Sequence, residues 1–168
     1  PNLDGLRWFV ASIWPLILTA RPDAHLTVIG QGGLAAELAS LRDTSGVTII
    51  GEVPEVRPYY ARAGIFICPL REGSGTRLKI LEAMALGNPV VSTWIGAEGI
   101  KAVDGRDLLL ADSPGDFASA VLAVMADPPR FEQLRENGRA LVEAHYDWDL
   151  IGERAAESIA RWFGPGKS

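Results

Sequence analysis

Cysteine and histidine are nearly absent from this 168-residue chain. Cys68 is its single cysteine, so no internal disulfide can form. It lies in an apolar run, which favours a buried structural thiol over a nucleophile and fits a reducing, cytoplasmic compartment. The two histidines, His25 and His145, are far apart and lack metal-ligand spacing. We therefore expect no metal site.

Long apolar runs and excess positive charge are also missing. The longest uncharged stretches, 8–20 and 83–97, are interrupted by proline or glycine and are too short to cross a bilayer. The net charge is −5 and the isoelectric point is near 5.0, which argues against nucleic-acid binding. The exception is a local group of cations, Arg71, Arg77 and Lys79.

Short apolar strands alternate with helical patterns along the chain. Hydrophobic residues make up 48% of it, which is enough for one domain with a true core. The alternation predicts an α/β fold with a doubly wound, Rossmann-like parallel sheet over 1–163 and a frayed tail at 164–168. Strands are predicted at 25–29, 47–50, 65–68, 89–92 and 108–110. The first helix is predicted to begin with Asn2 or Asp4 as its cap and to run to Arg21, with a kink or a local break at Pro15. Another helix follows the glycine-rich turn at 73–75 and ends at about residue 86. Further helices are predicted at 34–41, 55–63, 117–125, 131–144 and 150–163.

The most informative segment, 73–93, begins with a glycine-rich turn that opens a helix. Such a turn presents free backbone N–H groups and the positive end of the helix dipole, which together bind anions. Arg77 and Lys79 add positive charge, and Glu82 lies about 12 Å from Ser74 along the helix. A phosphate at the turn and a sugar hydroxyl at Glu82 could belong to one nucleotide. There are simpler alternatives. The turn could serve only tight packing, and Glu82 could form a salt bridge with Lys79.

A second glycine-rich turn, 30–35, follows the first predicted strand. It fits the loose dinucleotide fingerprint, with Glu52 about 20 residues further on. A plain tight turn, or a loop that lets another ligand approach, would have the same sequence. Both glycine-rich turns would leave carboxyl ends of parallel strands, where ligands bind in such sheets.

Residues 79–93 read Lys-Ile-Leu-Glu-Ala-Met-Ala-Leu-Gly-Asn-Pro-Val-Val-Ser-Thr and form the most specific motif of the chain. Weaker motifs lie at 1–10, 26–32, 47–53, 59–63, 65–70, 104–110 and 144–148. Through these segments the chain resembles the donor-binding half of retaining glycosyltransferases of family 4, the glycosyl transferases group 1.

The resemblance implies one half of a two-domain GT-B enzyme, the other being a missing amino-terminal acceptor domain. It implies that Glu82 binds the ribose hydroxyls and that Val53 borders the base. The family's first carboxylate is replaced by Ser74, which leaves Glu72 as a contact for the donor sugar. The phosphates are expected on the backbone of Gly73, Ser74, Gly75 and Thr76, with Arg77 and Lys79 as cations and Gly30 on the same edge.

The expected function is retaining, metal-independent transfer from a nucleoside-diphosphate sugar, without a cofactor. The isolated chain is expected to be inactive. A sugar-nucleotide epimerase of the same architecture and a non-catalytic nucleotide-binding module are the alternatives, and Ser74 in place of an acid favours the module. Peripheral association with the inner face of a membrane, through the missing half, stays open.

Overall fold

The computed structural model describes residues 1–30, 41, 43–73, 75 and 77–146. The chain begins with a helix of three segments: α1 (Asn2–Trp8), a π-helical stretch (Phe9–Ile13) and α2 (Trp14–Ala20). Pro15 lies in the first turn of α2, so the predicted irregularity takes the form of a π-helical stretch just before the proline. The predicted cap is wrong, because the residue before the helix is Pro1 and no side chain caps it.

The strands are all parallel, as the sequence predicts. β1 (Leu26–Ile29) pairs with β2 (Val47–Ile50), and β4 (Val90–Ser92) lies between β3 (Phe66–Cys68) and β5 (Leu109–Leu110). Within the described ranges these ladders form a two-stranded and a three-stranded sheet. One apolar cluster contains side chains from all five strands, so the two sheets share a core.

The remaining helices are α3 (Arg57–Arg62), α4 (Leu78–Ala85), α5 (Pro114–Ala126) and α6 (Pro128–His145). The last two begin three residues earlier than predicted, because Ser113 and Asp127 cap them and a proline occupies the first position. The predicted helices at 34–41 and 150–163 and the tail at 164–168 lie outside the described residues, except for Leu41. No helix in the described part combines the length and apolar character needed to cross a bilayer.

Helices cover both faces of the strands. Val91 packs in a cluster with α2 and α5, whereas its neighbour Val90 packs in a second cluster with α4 and α6. Successive strand residues point to opposite faces. The alternation at β4 therefore shows that the sheet is covered on both sides, as in a doubly wound fold.

Candidate functional site

The glycine turn at 73–76 follows β3 and precedes α4. Gly73 and Gly75 have φ angles of +110° and +114°, which side-chain-bearing residues rarely adopt. Helix α4 begins at Leu78, later than predicted, so Gly75 belongs to the turn and does not share a helix face with Glu82. The predicted phosphate-binding positions Ser74 and Thr76 lie outside the described residues.

Arg77, the residue before α4, is buried with 7% of its surface exposed. Its Nη2 donates to the carbonyl oxygens of Gly73 at 2.8 Å and Ile95 at 2.9 Å. Arg77 therefore ties the glycine turn to the loop that follows β4. A second link between the same loops runs from the Thr93 hydroxyl to the carbonyl oxygen of Leu70.

Lys79 lies in the first turn of α4 and points to the start of α1. Its Nζ donates to the side-chain oxygen of Asn2 at 2.6 Å. Among the described residues, no ion pair joins Lys79 to Glu82, although the two lie three residues apart on one helix. The simpler explanation of Glu82 as a structural partner of Lys79 is therefore wrong for this structure.

Arg71, just upstream of the glycine turn, forms a two-pronged ion pair with Asp4. Its Nη2 and Nε lie 2.7 Å and 3.0 Å from the two carboxylate oxygens, and its guanidinium lies 5.7 Å from the centre of the Trp8 ring. The hydrogen bond from Arg71 holds the pKa of the Asp4 carboxyl below its usual value. Arg71 is thus neutralised, whereas Lys79 meets a neutral amide.

Glu82 is exposed on α4, and its charge acts on Tyr60 of α3. Burial, with a further contribution from the Glu82 carboxylate, raises the pKa of Tyr60 to about 12. The Tyr60 hydroxyl therefore stays protonated further into the alkaline range than an ordinary tyrosine. Glu72, the predicted sugar contact, is also exposed.

Val53 and Gly30 are half-buried in the loops after β2 and β1. Within the described residues, neither shares a hydrogen bond with the glycine turn or with α4. Their assignment to the base and to the binding edge stays a prediction. So do the roles assigned to Glu72, Arg77, Lys79 and Glu82 from the sequence.

The sequence predicts only a capping role for Asn2 or Asp4. Their spacing at a helix start suits capping, and only the fold brings them to Lys79 and Arg71, 77 and 67 positions away. No local pattern shows such a pairing. The sequence shows only that two polar residues lie at the helix start and that cations flank the glycine turn.

Cys68 is buried, as predicted, and burial raises the pKa of its thiol. In the described part of the chain, no group of three or more His, Cys, Asp or Glu residues could hold a metal ion. Trp94 is 59% exposed. It lines a mainly apolar pocket of about 380 Å³ with Ile95 and Leu110.

Comparison with known proteins gives a consistent result. Residues 1–127 match the family model described as glycosyl transferases group 1. The GDP-mannose-dependent monoacylated alpha-(1-6)-phosphatidylinositol monomannoside mannosyltransferase of Corynebacterium glutamicum is 31% identical over 151 residues, which cover 83% of this chain and 40% of that protein. The matched part of the chain covers 39%, 40% and 35% of the length of three curated relatives, and as little as 24% of another.

Solved structures share the fold. The C-terminal domain of a glycosyl transferase group 1 family protein (LpcC) from Francisella tularensis superposes with a TM-score of 0.73 at 22% identity, covering 88% of this chain and 82% of that one. Alr3699/HepE from Anabaena, solved in complex with UDP, gives a TM-score of 0.74 at 17% identity, covering 90% and 44%. The Rossmann-like fold predicted from the sequence is thus confirmed.

Proposed function

The chain belongs to the glycosyl transferases group 1 family, and on that premise we propose that it binds the donor of a retaining transferase. The donor would be a nucleoside-diphosphate sugar, and its sugar would pass to an acceptor with retention of anomeric configuration. Two observations on similar proteins support a nucleotide donor. The Corynebacterium relative is named as GDP-mannose-dependent, and the Anabaena structure contains UDP.

The observation that carries the proposal is the unpaired state of Lys79 and Glu82. Opposite charges three residues apart on a helix ordinarily attract each other. In the described structure they form no ion pair, since Lys79 donates to the neutral Asn2 and Glu82 is exposed. Both charges are thus available to a ligand that carries phosphates at one end and hydroxyls at the other.

In this proposal Lys79 and the backbone N–H groups of the glycine turn bind the diphosphate. Transfer leaves a nucleoside diphosphate, whose growing negative charge these groups stabilise. Protein groups thereby supply the positive charge, and we propose that no metal ion or cofactor is required. Arg77, with its Nη2 already bonded to two carbonyl oxygens, holds the turn in place.

The other predicted contacts extend along the same edge of the sheet. Glu82 would accept hydrogen bonds from the ribose hydroxyls, Val53 and Gly30 would lie toward the base, and Glu72 would contact the donor sugar. We place the acceptor on a second Rossmann-like half beyond this chain. We also place the enzyme in the cytoplasm, with any membrane contact made through that second half.

A nucleotide titration of the full-length protein that carries this chain tests the site. UDP and GDP are compared with their 2′,3′-dideoxy analogues in wild type and in Glu82→Gln. Loss of a charged hydrogen bond should weaken ribonucleotide binding about tenfold and leave the dideoxy analogue unaffected. Glu136→Gln, which changes an exposed acid on α6, is the matched control. Equal affinities of wild type and Glu82→Gln for the ribonucleotide would disprove the ribose assignment.

A transfer assay separates the candidate functions. The full-length protein is incubated with a nucleoside-diphosphate sugar and acceptors, and products are analysed by NMR for the configuration of the new linkage. Retained configuration, unaffected by EDTA, is expected. Epimerised donor without transfer would indicate an epimerase, and nucleotide binding without turnover would indicate a binding module.

A further inference from the structure

Asn2 contacts Lys79 without neutralising it. Its amide oxygen accepts from Nζ at 2.6 Å, so the ammonium group is held in position while its full charge is kept. Asp4, at the same helix start, behaves differently, because its carboxylate forms an ion pair with Arg71. The start of α1 thus neutralises the charge of Arg71 and leaves the charge of Lys79 uncompensated.

The start of α1 is fixed against the strand exit, which makes this position definite. A Cβ on Gly5 would lie 2.3 Å from the carbonyl oxygen of Pro69, so the helix backbone directly abuts the chain after β3. A Cβ on Gly73 would lie 3.2 Å from Cγ of Pro1. Asn2 is therefore held between the two contacts, beside the glycine turn.

The residue type at position 2 is itself informative. Acids are favoured in the first turn of a helix by the helix dipole, and an acid here would also pair with Lys79. An asparagine forgoes both stabilising interactions. Such a choice is expected where the ammonium charge is needed by an anionic ligand.

We infer that Asn2 is a positioning residue for diphosphate binding, which holds the Lys79 ammonium beside the glycine turn with its charge intact. The inference rests on the proposed function, because it takes the ligand of Lys79 to be the diphosphate of the donor. Asn2 acts through Lys79 and need not contact the nucleotide. Its replacement should therefore alter affinity according to the charge of the ligand.

The test uses Asn2→Asp and Asn2→Ala in the full-length protein that carries this chain. UDP and GDP are titrated by calorimetry, and uridine and guanosine by NMR. Asn2→Asp should weaken diphosphate binding about three- to tenfold, because an exposed ion pair then competes for the charge, and should leave the nucleosides unaffected. Asn2→Ala should weaken it less, since the charge remains. Gln133→Glu, the same amide-to-carboxylate change at an exposed position of α6, is the control.

The outcomes separate the two claims. If the wild type does not bind UDP or GDP, the proposed function fails and this inference fails with it. If the wild type binds but Asn2→Asp binds equally well, only the inference is overturned. It is also overturned if Asn2→Ala is as weak as Asn2→Asp, or if nucleoside affinity falls by the same factor. Because Asn2 is exposed and an acid suits the helix start, the variant is expected to fold.

Discussion

The Arg77 guanidinium donates to the main-chain carbonyl oxygen of Ile95 at 2.9 Å, across a gap of 18 residues. The same Nη2 also bonds to the carbonyl oxygen of Gly73. One buried cation therefore satisfies carbonyl groups on the loops after β3 and β4. This link joins the glycine turn to the loop that follows β4.

Replacing Arg77 by methionine should destabilise the fold. The change keeps an unbranched apolar stem but leaves the carbonyl oxygens of Gly73 and Ile95 without their charged donor. Losing hydrogen bonds to a charged group should lower the free energy of unfolding by about 2–3 kcal/mol. Urea denaturation followed by circular dichroism measures the change.

Arg57→Met is the matched control for that experiment. Arg57 pairs with Glu55 at 3.8 Å, and 77% of its side chain is exposed. Surface pairs of this kind contribute little, so the control should lie within about 0.5 kcal/mol of wild type. Equal stability of the two variants would show that the buried link is dispensable.

Strands β1 to β4 were predictable because each is a short apolar run close to a glycine or a proline. Val47–Ile50 was located to the residue, since Gly46 and Gly51 flank a continuous β-branched stretch. The start of α4 was placed too early, because a glycine turn that leads into a helix gives no local sign of where helical dihedrals begin. Arg77 adopts a non-helical ψ of 49°, and the helix starts after it.

The candidate site was predictable as a segment but not as a set of contacts. Lys79 and Glu82 are candidates because they share one helix with a glycine turn before it, and their roles stay predictions. Their partners were not, because the Asn2–Lys79 and Asp4–Arg71 contacts join residues more than 60 positions apart. Such pairings depend on how α1 packs on the strands, and this packing cannot be predicted from the local sequence.

Gly5→Ala should destabilise the chain, against the usual trend. Alanine at a helical glycine ordinarily stabilises by up to about 1 kcal/mol. Here the added Cβ would lie 2.3 Å from the carbonyl oxygen of Pro69, so α1 must move away from the chain after β3. We expect a loss of about 1–3 kcal/mol in thermal or urea unfolding.

Gly115→Ala in α5 provides the comparison for Gly5→Ala. A Cβ there would meet nothing within 4 Å, so this change should be neutral or slightly stabilising. Opposite signs for the two alanines are expected. If Gly5→Ala also stabilises, α1 is not in close contact with Pro69.

Asn88 holds the end of α3 in place and should be sensitive to truncation. Its Nδ2 donates to the carbonyl oxygens of Tyr60 at 3.0 Å and Ala63 at 2.8 Å, and the residue is 4% exposed. Asn88→Ala should lower the free energy of unfolding by about 2 kcal/mol, because two carbonyl groups lose their donor. The half-buried Asn137 donates one bond, to the carbonyl oxygen of Arg106, so Asn137→Ala is a control with a smaller expected loss. Losses of equal size would contradict the assignment.

Tyr60 should ionise only at strongly alkaline pH. Burial and the Glu82 carboxylate raise its pKa to about 12 in the folded chain, whereas an unfolded tyrosine ionises near 10. The folded state binds the proton more tightly, so the stability from Tyr60 is complete below pH 10 and is lost as the pH rises through about 12. Ultraviolet titration of tyrosinate, with Tyr60→Phe to assign the transition, measures the value. Glu82→Gln should lower it by removing the nearby negative charge, whereas Glu136→Gln should not. An unchanged Tyr60 transition in Glu82→Gln would show that the carboxylate does not act on this hydroxyl.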